Sequence, residues 1–238
     1  MSITETLLRP LLATAAAKPA ITHYDDATGA RIELSTTTLA NWAAKTANWL
    51  VEEFDVEAGD PVCVRLPAHW QTAGVLLGAF WCGAHVVSDD AGAAVAFVPP
   101  DETAKSVQAA ETAIVAFDPL GQGLRTPPPG GAFDYLSDAK LAGDDFSPMP
   151  PINGDTPALL SATVDEVLAA TRKRAEDLGI GAGDRVLSTT EWTLPDGLID
   201  ALLAPLSVGA SLVQVSNADP AKLANRRTTE RTTVDLLG

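Results

Sequence analysis

The sequence predicts an α/β protein made of two pseudo-symmetric βαβ-type subdomains, with largely parallel sheets flanked by helices. Short apolar runs of strand length alternate with helical segments along most of the chain, which is typical of parallel sheets. The order Ala-Gly-Asp, strand, tryptophan-bearing loop, apolar helix, Gly-Ala, strand occurs twice, beginning at Glu57 and Gly181. Between the copies, Pro, Gly and Asp are dense, as in a connector. We therefore predict a first subdomain at 1–120, a connector at 121–157 and a second subdomain at 158–238.

The first subdomain is predicted from local patterns. Alternating residues at 20–25 and 31–34 around "DDATGA" indicate a β-hairpin. Ser35 is the expected N-cap of a helix that runs to about Phe54 and has one apolar face. Further on, "PVCVRL", "AHVVS", "AVAFVP" and "AIVAFD" are predicted strands, and "HWQTAGVLLGAFWCG" and "DETAKSVQAAE" are predicted helices.

The connector and second subdomain are predicted in the same way. The connector is expected to cover the surface, with one short helix near Tyr135 to Ala142. A strand then begins at Ala158, followed by a helix at 164–178, the strand "DRVLST", a helix at 196–207 and the strand "ASLVQV". Pro205 lacks a backbone N–H, so we expect it to distort the last turn of the helix at 196–207.

Charge and composition exclude several partners. The formal net charge is −15, which repels phosphate backbones and anionic lipids, so we expect neither nucleic-acid nor membrane binding. Cys63 and Cys82 lie in apolar runs without metal-ligand spacing, which indicates buried thiols in a reducing compartment. Neither a secretory signal pattern nor an apolar run of membrane-spanning length is found, so the predicted location is cytoplasmic.

Patterns for metal and nucleophile chemistry are missing. The three histidines have no zinc-type spacing, and the sequence contains no G-x-S-x-G, H-E-x-x-H or P-loop pattern. "GIGAG" precedes a strand instead of following one, so it is a turn and not a dinucleotide fingerprint. Asp60 and Asp184 follow glycine in the two repeated turns, where aspartate commonly binds nearby backbone. We therefore predict no metal and no cofactor.

In its order of motifs, the chain resembles the N-terminal part of the adenylate-forming enzymes, which include acyl-CoA synthetases, luciferases and peptide-synthetase adenylation domains. The matching pieces are "LSTTTLANWAAKTANWL", "VEAGDPVCVRLPAHWQTAGVLLGAFWCGAHVV", "GDTPALLSAT", "GIGAGDRVLSTTEWTLPDGLIDALLAPLSVGASLVQV" and "DPAKLANRRTTERTTVDLLG". The resemblance covers nearly all of this chain but only about the first half of a full enzyme, so it implies an incomplete second subdomain. Short actinobacterial proteins have a similar outline.

A degenerate phosphate turn is the main departure from that family. There, a Ser/Thr/Gly-rich loop ending in Pro-Lys-Gly follows the strand that "PALLSAT" resembles, and it holds the ATP phosphates. Here, the chain passes from Ser161 to Thr163 and directly into the next helix. Thr163 and Glu166 have capping-box spacing, and Asp165 adds a second carboxylate to the first turn. A bare helix N-terminus can bind an anion. Because Asp165 and Glu166 place negative charge at this N-terminus, we predict that it does not bind ATP.

The loop "TEWTLPDG" supplies the remaining candidates. The family places an aromatic or histidine substrate residue there, whereas this chain has Leu194 and Pro195. Glu191, Trp192 and Asp196 are candidate cleft residues, and the two carboxylates would serve as acid and base only if they converge and one pKa is raised. In the competing interpretation, the loop is merely polar and Asp196 caps a helix.

The sequence thus favours a non-catalytic relative of the AMP-forming acyl-CoA synthetases that acts by binding. Surface left by the missing subdomains should be apolar, so a homodimer or a protein partner is expected to cover it. Two alternatives stay open. One is an enzyme of the AMP-dependent synthetase/ligase class with a non-standard site, and the other is a half-enzyme completed by a partner chain.

Overall fold

The computed structural model describes residues 1–101 and 107–238, and its secondary structure is mixed α/β, as predicted. Its helices are α1 Ile3–Ala15, α2 Thr36–Phe54, α3 Trp70–Cys82, α4 Tyr135–Ala139, α5 Val164–Asp177, α6 Asp196–Leu198, α7 Ala204–Ser207 and α8 Pro220–Glu230. Its strands are β1 Pro19–Asp25, β2 Ala30–Ser35, β3 Pro61–Val64, β4 His85–Val87, β5 Val95–Val98, β6 Glu111–Ile114, β7 Phe133–Asp134, β8 Pro157–Leu159, β9 Ala162–Thr163, β10 Arg185–Ser188, β11 Ser211–Ser216 and β12 Val234–Leu236.

The chain folds into two compact units. The first unit comprises Met1–Glu5, Ala40–Leu66 and Gln71–Asp165, and the second comprises Thr6–Leu39, Pro67–Trp70 and Glu166–Gly238. This division differs from the predicted one at 1–120, 121–157 and 158–238. The whole connector belongs to the first unit, and the N-terminal hairpin belongs to the second.

The first unit is built on a seven-stranded sheet with the order β7-β6-β5-β3-β4-β8-β9. All neighbouring strands are parallel except the antiparallel pair β8 and β9. Every residue of β5 is buried, as expected for a strand covered on both faces.

The second unit contains a five-stranded sheet with the order β12-β10-β11-β1-β2. The predicted hairpin is confirmed as the antiparallel pair β1 and β2, and the predicted Ser35 cap accepts the N–H of Thr38 at 3.1 Å. β1 also pairs in parallel with β11, with Ile21 opposite Leu212. This pairing between distant segments assigns the hairpin to the unit formed mainly by the C-terminal part of the chain.

The repeated Ala-Gly-Asp turns have the same hydrogen bonds in both units. The carboxylate of Asp60 accepts the N–H of Glu57 at 2.9 Å, and that of Asp184 accepts the N–H of Gly181 at 2.7 Å. In each copy, the carbonyl of the same aspartate accepts the N–H of the first residue of the returning strand, at 2.8 and 2.9 Å. The internal repeat is therefore structural, and both aspartates bind backbone as predicted.

Several elements differ from the predictions. The helices α1 and α8 and the strand β12 were not predicted, and the predicted helix "DETAKSVQAAE" includes residues outside the described ones. The helix at 196–207 is interrupted by a π-helical turn at Ile199–Leu203, in which Ala204 donates its N–H to Ile199. The distortion precedes the last turn instead of lying in it. Pro205 cannot donate to the carbonyl four residues back, so the regular pattern fails on the side preceding the proline.

Candidate functional site

In the first unit, the predicted phosphate turn is a tight hairpin. β8 reverses into β9 through Leu160 and Ser161, so that Leu159 pairs with Ala162. The carbonyl of Leu160 accepts a hydrogen bond from the ring of His85 at 2.5 Å, and the N–H of Leu160 donates to the carbonyl of Val86 at 3.0 Å. The sequence predicted a direct passage from strand to helix and missed β9. A reversal this short leaves no loop that could wrap around a triphosphate.

The N-terminus of α5 is occupied by the chain's own carbonyls. The helix begins at Val164, so Thr163 and Glu166 lie at the predicted N-cap and N3 positions. Val164 donates its N–H to Thr156 at 3.0 Å, and Asp165 donates its N–H to Gly154 at 2.9 Å. The Asp165 side chain also lies against Gly154, where an added Cβ would come within 2.5 Å of Asp165 Cγ. The first two N–H groups of the helix, which could hold a phosphate, are therefore already bonded.

The second unit has a topological switch at the carboxyl ends of its parallel strands. The connection from β10 leads to its neighbour β11, whereas the connection from β11 returns past β10 to β12. Because such crossovers are right-handed, the two connections leave the sheet on opposite faces. Open α/β sheets usually bind ligands in the crevice at such a point. The carboxyl ends of β10 and β11 are therefore the geometric candidate for a ligand site.

This crevice is bridged by residues 67–70 of the same unit. Ala68 donates its N–H to Glu191 Oε2 at 3.0 Å, just after β10. The Ala68 carbonyl accepts the hydroxyl of Ser216, the last residue of β11, at 2.7 Å. The segment is thus tied to the carboxyl ends of both strands.

A buried histidine pair lies beside this bridge. The rings of His23 and His69 pack edge to face with centroids 4.2 Å apart, and His23 Nε2 lies 2.9 Å from Ser216 Oγ. Since the Ser216 proton goes to the Ala68 carbonyl, His23 donates to Ser216. The arrangement therefore differs from an activated serine, in which the imidazole accepts the hydroxyl proton.

Burial dominates the protonation of this pair. It lowers the pKa of His23 to about 4, although the Asp25 carboxylate acts in the opposite direction. Burial, with a smaller contribution from His23, lowers the pKa of His69 to about 2. Both imidazoles are neutral at pH 7. The histidine spacing argued against a zinc site, but it did not predict this pairing, because β1 and residues 67–70 are joined only by the fold.

The three candidate cleft residues have different surroundings. Glu191 is engaged by the Ala68 N–H, and the Trp192 side chain is buried, with no hydrogen-bond partner for its Nε1 among the described residues. Asp196 is the first residue of α6, which follows Pro195, so the interpretation of Asp196 as the N-cap is wrong. The guanidinium of Arg174 forms two 2.7 Å hydrogen bonds with Asp200. These bonds, with a smaller contribution from the charge of Asp196, raise the pKa of Arg174.

The described residues contain neither a metal-ligand cluster nor a membrane-spanning helix. Among residues 1–101 and 107–238, no group of three or more His, Cys, Asp or Glu side chains is arranged to hold a metal ion. Within the same ranges, none of the helices combines the length and the apolar character that a bilayer crossing requires.

Comparison with known proteins places the chain in a family. No family model matches the sequence. However, a TIGR03089 family protein of Mycobacterium tuberculosis is 44% identical over 234 residues, which cover 95% of each chain. The chain belongs to the TIGR03089 family. That family name carries no statement of activity, so function must be inferred from the fold and the site.

Solved structures of acyl-CoA synthetases and CoA ligases share the fold of this TIGR03089 family member. An acyl-CoA synthetase of Brucella canis matches with a TM-score of 0.81 and 15% identity, covering 100% of this chain and 47% of the enzyme. The anthranilate CoA ligase AuaEII, in complex with anthranoyl-AMP, gives 0.74 and 16%, covering 100% and 49%. A benzoate CoA ligase from Burkholderia xenovorans gives 0.73 and 19%, covering 99% and 50%. The predicted fold class and resemblance are confirmed, and the chain spans about half the length of these enzymes.

Proposed function

We propose that this protein is a non-catalytic relative of the AMP-forming acyl-CoA synthetases and acts by binding a protein partner or a small ligand. The observation that carries the proposal is the β8–β9 hairpin. Its two-residue reversal, Leu160 and Ser161, occupies the place where the related enzymes would need a phosphate loop.

Local hydrogen bonding supports the same conclusion. A helix N-terminus attracts phosphate through free N–H groups and its positive dipole end. In α5, the N–H groups of Val164 and Asp165 are engaged by Thr156 and Gly154, and the side chains of Asp165 and Glu166 add negative charge. A triphosphate placed here would find these N–H donors already occupied and would face negatively charged side chains, and both effects oppose binding.

We expect no ATP binding at this turn, and no ATP–pyrophosphate exchange with any member of a panel of fatty and aromatic acids. Calorimetric titration with ATP and AMP, together with the exchange assay, measures both. The double variant Asp165→Asn/Glu166→Gln should also fail to bind ATP, because the backbone donors stay occupied. A conventional acyl-CoA synthetase serves as the positive control. Micromolar ATP binding by the wild type, abolished by substitution of Thr163 or Glu166, would overturn the proposal.

A second candidate is a half-enzyme completed by another chain, or an enzyme with a non-standard site. Its supporting observation is the coverage of only about half of the related synthetases. Co-purification with a protein that carries the other half of such a synthetase, and exchange activity only in the mixture, would favour this candidate.

The binding role implies a partner. We propose that a second copy or another protein covers apolar surface, and that the protein acts in the cytoplasm without binding nucleic acid or membrane. Light scattering and an apolar fluorescent dye test the first part. A clean monomer with no dye binding would contradict it.

A further inference from the structure

We propose that the first unit binds a basic, amphipathic segment of a partner protein on the surface formed by residues 49–57 at the end of α2 and by residues 138–152. We call this surface the acidic–apolar face. It gives the binding role proposed above a location and a partner chemistry, and therefore rests on that proposal.

The connector part of this face is fixed to α2. Lys45 donates from Nζ to the carbonyls of Lys140 and Ala142, at 3.0 and 2.8 Å. Asn48 donates to the carbonyls of Gly143 and Asp145, at 3.0 and 2.9 Å. The two segments thus form one ordered surface.

Two hollows are lined by residues of these two segments. One, of about 390 Å³, is lined by Trp49, Phe133, Leu141 and Ala142 together with acidic residues. The other, of about 590 Å³, includes Val51, Phe146 and Met149.

Apolar side chains are also unusually exposed here. Leu141 is 82% exposed and Met149 is 92% exposed. With Val51, they are three of the six large apolar side chains that are exposed among the described residues. Val51 and Met149 line the larger hollow and Leu141 lines the smaller one, and exposed apolar side chains beside hollows are typical of an interaction surface.

The rims of the hollows are acidic. Glu52, Glu53 and Asp138 line the smaller hollow, and Glu57 lines the larger one. Within the described part of the chain, neither Glu52 nor Glu53 forms an ion pair. Unpaired carboxylates around apolar pockets match a segment that carries Lys or Arg beside apolar anchors.

Charge also selects among possible occupants. A symmetric dimer through this face would place the same carboxylates against each other. The chain's own basic helix α8 is already neutralised, since Arg226 binds Asp26 and Arg227 binds Asp235. Nucleic acids and anionic membranes carry the same sign of charge as the face. A basic protein segment is therefore the occupant that fits.

The test uses the full chain and a short amphipathic helical peptide of leucine and lysine. Dissociation constants come from fluorescence anisotropy at low and high salt, and ¹³C-methyl NMR of Met149 reports contact with the face. We expect Glu52→Lys/Glu53→Lys to weaken binding at least about tenfold, and added salt to weaken wild-type binding. The matched control Glu111→Lys/Glu176→Lys, with the same change in net charge on exposed residues, should stay within about twofold of wild type.

The apolar part is tested separately. Leu141→Ser/Met149→Ser should weaken binding at unchanged charge, and a serine–lysine peptide without leucine should bind more weakly than the leucine–lysine peptide. Equal loss in both charge variants, an unmoved Met149 signal, or no peptide binding by the wild type would each overturn the inference. Nucleotide binding and pyrophosphate exchange are measured independently, so failure here is distinguishable from failure of the proposed non-catalytic function.

Discussion

Polar side chains buried in the second unit are held by partners far away in the sequence. His23 of β1 contacts His69 and Ser216. None of these residues belongs to a recognisable motif, although each has a clear physical role. By contrast, the Ser35 cap and the aspartates of the repeated turns act on residues within three positions, and these roles were predicted.

Because of the histidine pair, the stability of the protein should begin to fall at pH values above those at which carboxylates titrate. The pKa values of His23 and His69 fall from 6.5 to about 4 and about 2 on folding. The unfolded chain therefore takes up protons first as the pH falls below 6.5, and stability is lost. We expect a loss of about 1 kcal/mol per imidazole and pH unit between pH 6 and 4.5.

Urea unfolding across this pH range measures the effect. For the variant His69→Gln, the free energy of unfolding should fall less steeply with decreasing pH than in the wild type, by about one proton. This difference in slope does not depend on the stability of the variant at pH 7.5. An identical slope in wild type and variant would show that His69 is protonated in the folded state.

At the scale of elements, α8 is attached to the hairpin and β10 through one buried carboxylate. The side chain of Glu230 is 5% exposed. It accepts hydrogen bonds from Tyr24, Arg31 and Arg185. Burial by itself would raise the pKa of Glu230, but the bonds from Arg31, Tyr24 and Arg185 outweigh it and hold the pKa at about 2.

Replacing this carboxylate should loosen α8. We expect Glu230→Gln to lower the free energy of unfolding by about 3 kcal/mol at pH 7, because two arginines lose their buried partner. The wild-type advantage is fully present above pH 4.5 and should disappear as the pH falls toward 2. Denaturant unfolding at several pH values tests this. Glu33→Gln, at a half-exposed partner of Arg31, is the control and should cost less than about 1 kcal/mol; equal costs would contradict the prediction.

In the first unit, α2 and α3 cross closely at Gly78. An added Cβ there would lie 2.7 Å from Thr46 Cγ2 and 2.8 Å from the Ala43 carbonyl. The close approach explains why glycine occurs in the middle of an otherwise apolar helix.

Alanine at this crossing should therefore destabilise the protein. We expect Gly78→Ala to cost about 1–3 kcal/mol, because the overlap with Thr46 outweighs the better helix propensity of alanine. Thermal unfolding measures the cost. Gly74→Ala is the comparison, since its nearest contact would be 3.2 Å from Trp42 Cβ, and it should be less destabilising. The reverse ranking would show that the helices can separate at Gly78.

Most elements were predictable because they depend on local pattern. The hairpin, α2, α3, α5 and the strands of both repeats follow from periodicity, caps and Gly-Asp turns. The β8–β9 hairpin was missed because its strands are too short to show alternation. The helix distortion was predicted one turn too late, because the sequence locates the proline but not the side of it on which the regular hydrogen bonds are lost.

For the whole molecule, strand pairing between distant segments decides the division into units. The antiparallel hairpin joins the second sheet through β1 and β11, and the residues between β3 and α3 bridge the carboxyl ends of β10 and β11. At this scale, the net charge of −15 disfavours phosphate-bearing partners and favours basic ones. The acidic–apolar face gives that preference a location.

The sequence by itself determined the α/β class, the internal repeat, the resemblance to adenylate-forming enzymes and the degenerate phosphate turn. Each depends on residue order over short spans, which local sterics, capping and hydrophobic periodicity control. Only the tertiary structure decided that carbonyls of Gly154 and Thr156 occupy the start of α5, that Glu191 binds backbone instead of pairing with Asp196, and that His23 meets His69. The contacts of Glu191 and His23 join residues far apart in the chain, and those at α5 lie across the β8–β9 hairpin. All of them depend on how the strands pair and pack, which no local pattern specifies.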